Sequence, residues 1–146
     1  MNGPQSGNPH RHVFANVPMR LVAESGDVSV SAELQYTTRD PLAVRATFCR
    51  KGYSPVVWVF ARDLLLVGIA RPSGLGDVQI SPEGPDVVLH LSSPEGTATL
   101  EASATDMKHF ADRMLSVVSA GGECAYIDID AELAAFDPAI FTGGNN

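Results

Sequence analysis

Val28-Ser29-Val30-Ser31-Ala32-Glu33-Leu34-Gln35-Tyr36 decides the fold class. Apolar and polar residues alternate along it without a break, the period of a strand with one face buried and one in water. Upstream, the odd positions carry Val13, Ala15, Val17, Met19, Leu21 and Ala23 while most even positions are polar, so a second long strand is expected from His12 onward. Ser25-Gly26-Asp27 between the two reads as a tight turn, glycine accepting a positive φ at no steric cost, and makes them a hairpin. Pro18 falls inside the first strand; it lacks a ladder donor and points to an edge position or a bulge.

Beyond Arg39-Asp40-Pro41, a third strand places Leu42, Val44, Ala46 and Phe48 on one face and Arg45 and Thr47 on the other. Lys51-Gly52-Tyr53-Ser54-Pro55 is the next turn. Val56-Val57-Trp58-Val59-Phe60 is apolar throughout, the composition of a strand buried on both faces. In a domain this small such a strand points to a subunit interface, with Trp58 and Phe60 as interface or core residues. Four strands joined by short turns make an antiparallel meander.

The period then changes. Ala61 to Gly68 holds helix formers and stops at a glycine, which predicts a two-turn helix, and Arg71-Pro72-Ser73-Gly74 breaks it. Three strands follow over Asp77 to Ile80, Val87 to Ser92 and Thr97 to Ala102. Ser103 can cap a second helix whose Met107, Phe110, Met114, Leu115 and Val118 form one apolar stripe, and Gly121-Gly122 ends it. A short strand with Ala125, Ile127 and Ile129 and a small helix from Ala131 to Phe136, capped by Asp130, are expected last. The order ββββαβββα is α+β rather than a doubly wound sheet. The strand-helix block occurs about twice, over residues 12–68 and 77–119, which leaves a pseudo-duplication open. One domain over residues 12–137 is expected, with flexible tails over 1–11 and 138–146.

With 146 residues the chain can bury a sizeable core without disulfides or metal. Its 45% hydrophobic and 18% charged residues are those of a globular domain. No apolar run approaches the roughly 20 residues of a membrane span, and the N-terminus has no signal-peptide pattern. Cys49 and Cys124 are too few for a disulfide framework, which points to a reducing, cytoplasmic compartment. Seventeen acidic against ten basic residues give a net charge of -7, which disfavours nucleic acid and anionic membrane as partners.

Chemical motifs are scarce. Gly74-Leu75-Gly76-Asp77 lacks the Lys-Ser/Thr of a phosphate loop and is followed by a strand, so it reads as a turn. His10, His12, His90 and His109 have no metal-ligand spacing, and Cys49 and Cys124 have no nucleophile motif and read as buried or half-buried structural thiols. Asp128, Asp130 and Glu132 alternate as an acid-base or metal site would, yet Asp130 and Glu132 also suit the first turn of a helix. Arg45, Arg50, Lys51, Tyr53, Trp58, Arg62 and Arg71 are the residues a single-stranded nucleic-acid surface would use, opposed by the overall charge. No catalytic residue, cofactor or metal ligand is expected.

Trp58-Val59-Phe60-Ala61-Arg62-Asp63-Leu64-Leu65, continuing to Gly68-Ile69-Ala70-Arg71-Pro72-Ser73-Gly74-Leu75-Gly76-Asp77-Val78, resembles the SsgA-like proteins of sporulating actinomycetes. Tyr36, Asp40-Pro41, Ala43-Val44 and Ala46-Thr47-Phe48 are similar to a second block of that family, Leu91 to Gly96 to its L-S-S-P-E-G turn, and Ile127 to Leu133 to its acidic C-terminal pattern. The resemblance runs from about residue 17 to 135. It implies a non-enzymatic, cytoplasmic regulator of septum formation that helps position or recruit the tubulin-like division protein, most like the subtype that recruits the division ring. It also implies a whirly-like fold of two antiparallel sheets packed with helices, and a homotrimer. A single-stranded nucleic-acid-binding module of the same fold is the alternative. Arg62, Asp63, Arg71 and Asp77 then have two readings: surface ion pairs tying helix to loop, each worth under about 1 kcal/mol, or a partner-binding face.

Overall fold

The computed structural model describes residues 9–122. Strands β1 (His12–Leu21), β2 (Val28–Thr37), β3 (Ala43–Cys49) and β4 (Val56–Ala61) run into helix α1 (Arg62–Gly68). Strands β5 (Val78–Glu83), β6 (Asp86–Ser93) and β7 (Gly96–Ser103) follow and lead into helix α2 (Ala104–Val117). Asp106 N donates to Ser103 Oγ at 3.3 Å, so Ser103 caps α2 as its sequence predicts. The expected strand at Ala125–Ile129 and helix at Ala131–Phe136 lie outside the described residues, as do Cys124, Asp128, Asp130 and Glu132.

The strands form one antiparallel sheet in the order β4-β3-β2-β1-β7-β6-β5, where the family resemblance implied two. Its halves are the two meanders, which among the described residues pair through Met19↔Ala102, Arg20↔Glu101 and Leu21↔Leu100 of β1 and β7, with one further bond from Val22 N to Thr99 O. On the exposed side of this seam Arg20 reaches Asp86 at 2.7 Å and Glu101 at 3.4 Å. Pro18 therefore sits in a central strand, not at an edge. Val22 N donates to Thr99 O, and amide directions alternate along a strand, so position 18 also faces β7. Opposite it the pairing has already stopped, because β7 hands over to α2 at Ser103, and the missing donor costs nothing.

One face of the sheet carries the core. Val13, Val17, Met19, Ala32, Leu34, Tyr36, Val44, Ala46 and Phe60 are buried from the first half, Val78, Ile80, Val87, Leu89, Leu100 and Ala102 from the second. Helix α2 adds Met107, Phe110, Ala111 and Met114, and Val118 is buried just past its end; Leu115 is only half-buried, and Ala111 fills the stripe in its place. Helix α1 packs on both β4 and β5, the two ends of the sheet. Six strand spacings span roughly 29 Å in a flat sheet, while a seven-residue helix is about 10 Å long. The sheet is accordingly curled, its two ends drawn together over α1.

Four expectations are corrected. The strand Val56–Phe60 is not buried on both faces: β4 ends the sheet, Val56, Val57 and Val59 are each about half exposed, and only Phe60 is core, with Trp58 half-buried against it. Leu42 precedes β3 and is exposed, held by its backbone, whose carbonyl accepts from Arg62 N at 2.8 Å. Strand β5 continues through Pro82 to Glu83, leaving Gly84-Pro85 as a two-residue turn. Cys49 is exposed rather than buried. At the N-terminal end, pairing reaches one residue before β1: Thr38 N donates to Arg11 O, and Arg11 N to Thr38 Oγ1.

Candidate partner-binding site

The segment Arg62 to Asp77 carries the signature residues, and most of them serve packing. Arg62 opens α1 and points inward, 1% exposed. Its Nη1 donates to Tyr36 Oη at 2.8 Å and to Val118 O at 2.7 Å, and its Nη2 to Ser119 O at 3.3 Å. Tyr36 Oη in turn donates to Pro41 O at 2.8 Å, and the guanidinium lies 5.4 Å over the Tyr36 ring. One planar fork thereby ties the β2–β3 turn to the chain leaving α2, whose carbonyls carry the negative end of the helix dipole. Arg62 is a structural anchor; its expected place on a partner-binding face is corrected.

Two glycines of the segment, Gly68 and Gly74, are equally structural. A Cβ on Gly68 would lie 2.5 Å from both Cβ and Cγ2 of Ile80, so glycine alone lets α1 seat on β5. Gly74 has φ +97°, and a Cβ there would run into the Val78 carbonyl. Between them Ala70 N and Arg71 N both donate to Val67 O, and Ser73 exchanges two backbone hydrogen bonds with Ile80. Ser92 N donates to Asp77 O at 2.9 Å. Gly74–Asp77 is a loop leading into β5.

Asp63, Arg71 and Asp77 are exposed, and among the described residues none of them makes an ion pair. The surface ion pairs expected to bind helix to loop are replaced by backbone hydrogen bonds, which is physically reasonable because exposed pairs gain little in water. Leu75 joins these three as a fully exposed apolar side chain, a residue the sequence reading passed over. Its signal was its position between two glycines in a turn, from which a leucine cannot reach the core. Helix α1 and the loop after it therefore present the side chains of Asp63, Arg71, Leu75 and Asp77 outward, without ion-pair partners among the described residues.

The nucleic-acid candidates divide: Arg50, Tyr53 and Trp58 line one groove, and the others do not join them in it. Arg45 stands on the exposed face of β3, Arg50 is stacked 4.1 Å over the Tyr53 ring, Trp58 is half-buried and Arg62 is inside. His90 and His109 are solvent-facing as expected, His90 Nδ1 3.1 Å from Thr99 Oγ1. Among the described residues no three His, Cys, Asp or Glu side chains gather to hold a metal ion, and no helix is long and apolar enough to cross a membrane.

A mostly antiparallel sheet with two helices, built around this signature segment, defines a class: the small sporulation and cell division proteins of actinomycetes. The Streptomyces sporulation and cell division protein SsgA describes the family whose model matches residues 30–123, and the chain belongs to that family. The sporulation-specific cell division protein SsgB of Streptomyces coelicolor is 45% identical over 127 residues, covering 84% of this chain and 93% of the relative. Its counterpart in Kineococcus radiotolerans is 44% identical over 135 residues, covering 86% and 81%. A solved SsgA-like sporulation-specific cell division protein from Thermobifida fusca superposes with a TM-score of 0.76 at 40% identity, covering 92% of this chain and 98% of that one. These relatives are cell division proteins and not a known enzyme family.

Proposed function

We propose that the protein is a non-enzymatic, cytoplasmic regulator of sporulation septation, an adaptor that helps position or recruit the tubulin-like division protein at septum sites. The observation that carries this reading is its similarity, over more than four-fifths of its length, to sporulation-specific cell division proteins. The exposed side chains of Asp63, Arg71, Leu75 and Asp77 support this segment as a partner face, because among the described residues none of the three charged ones is held in an ion pair and Leu75 lies outside the core. The test is co-pelleting with the polymerised tubulin-like division protein of the same organism, with a poly-dT binding control. Saturable pelleting is expected, and Arg71→Ala should weaken it while leaving the melting temperature unchanged. Absence of pelleting would overturn the adaptor reading, and single-strand binding that fades with salt would favour the nucleic-acid module.

A homotrimer is part of the same proposal. Phe14, exposed on β1, and Leu42 are apolar side chains that such an assembly would cover. Light scattering at micromolar concentration is expected to return a trimer mass; a monomer mass would refute it.

A further inference from the structure

The two ends of the sheet are treated differently. At β5 the outer edge is partly occupied by Ser73, bridged to Ile80, and interrupted by Pro82, both devices that block strand addition. At β4 neither occurs: Val56-Val57-Trp58-Val59-Phe60-Ala61 has no proline and no charge. The bond from Arg62 N to Leu42 O continues the register Ala43↔Ala61 and Val44↔Phe60, so the even residues of β4 face β3. The amides of Val57, Val59 and Ala61 and the carbonyls of Val57 and Val59 consequently point to the side where, among the described residues, the sheet has no further strand; the Ala61 carbonyl belongs to the first turn of α1.

An apolar groove of about 650 Å³ adjoins this edge, with Tyr53, Val56 and Trp58 on one wall and Leu91, Ala98 and Leu100 on the other. Its lining carries Arg50 on the β4 side and Glu95 on the far side, so the positive charge belongs to the β3–β4 edge and not to the whole groove. Residues 41–62 contain no Asp or Glu, while Arg45, Arg50 and Lys51 lie in this span of a chain whose net charge is -7. Arg45 stands directly across from Val59, and Arg50 borders the groove on the Tyr53 ring.

We propose that β4 is a strand-addition site for an extended, acidic segment of a partner protein, apolar at alternate residues. Main-chain bonds to Val57, Val59 and Ala61 supply the register, and alternate side chains fall over the groove and over the outer face. The carboxylates would lie on the outer face, roughly 10 Å from the β3 backbone that carries Arg45. A second copy of this chain fits less well, because pairing two β4 strands brings two cationic spans together. The inference concerns the recognition mode alone and does not rest on which division protein is bound.

The probe is a fluorescent nine-residue peptide of alternating valine and glutamate, titrated by anisotropy and mapped by amide hydrogen exchange on the full chain. Binding is expected, with exchange at Val57, Val59 and Ala61 slowed at least about tenfold. With valines over the groove, the glutamate amides face β4, so N-methylation at the glutamates should weaken binding by at least about tenfold. An alternating valine-lysine peptide should lose a similar factor. Val59→Pro should do the same from the protein side, and the peptide controls stand even if that variant fails to fold. No binding up to about 1 mM peptide, equal affinity of the N-methylated peptide, or concentration-dependent protection of the three amides in the free protein would each overturn the proposal, the last by placing a second copy on the edge.

Discussion

Arg62→Ala is expected to lower the melting temperature by roughly 10 °C. Truncation strips the donor from the buried Val118 carbonyl, costing about 1–3 kcal/mol when left unpaired, whereas the carbonyl of exposed Ser119 can turn to water. A cavity under Tyr36 adds to this. A total near 3–4 kcal/mol, at about 3 °C per kcal/mol for a domain of this size, gives the shift. Arg62→Lys should recover only part of it, because a single ammonium cannot span Tyr36 Oη and both carbonyls. Thermal melts of the two variants decide the matter: a melting temperature like that of the parent would show that Arg62 anchors nothing.

Gly68→Ala comes second. On a helix surface this change gains about 1 kcal/mol. Here the new methyl meets Ile80 Cβ and Cγ2 at 2.5 Å and Ile80 O at 3.0 Å, atoms fixed in a paired strand. Overpacking of this kind costs about 1–3 kcal/mol, and separating α1 from β5 also disturbs the loop that Ser73 and Ile80 hold. A net loss is expected in denaturant titration. Gly76→Ala is the control: no atom lies within 4 Å of its Cβ and its φ is not positive, so it should be silent. Equal stability of both variants with the parent would refute the close approach.

The strands were legible in the sequence because each local signal agreed with the final arrangement. Alternation in Val28–Tyr36, the turn at Ser25-Gly26-Asp27 and the Ser103 cap all act within a few residues. What was not legible depends on distant partners. Arg62 looks like any charged residue at a helix start; its acceptors Val118 and Ser119 are 56 and 57 positions away. The run Val56–Phe60 has the composition of a doubly buried strand, but whether a strand lies inside a sheet or ends it is a property of topology. One sheet or two is decided by three residue pairs. Of the four signature residues, the sequence could not say that one turns inward and three outward, since all four are charged and lie in or after the same short helix.

The seam between β1 and β7 also bears on how the chain acquires its structure. Every other strand junction joins neighbours in the order of synthesis, so each meander can form as hairpins from local segments. Only Met19–Leu21 must wait for residues 100–102, closing a loop of nearly the whole domain for three pairs of contacts. Closing so long a loop is entropically uphill until α2 packs over the join. The β1–β7 join thus requires residues 100–102, the end of the last strand, to have been made.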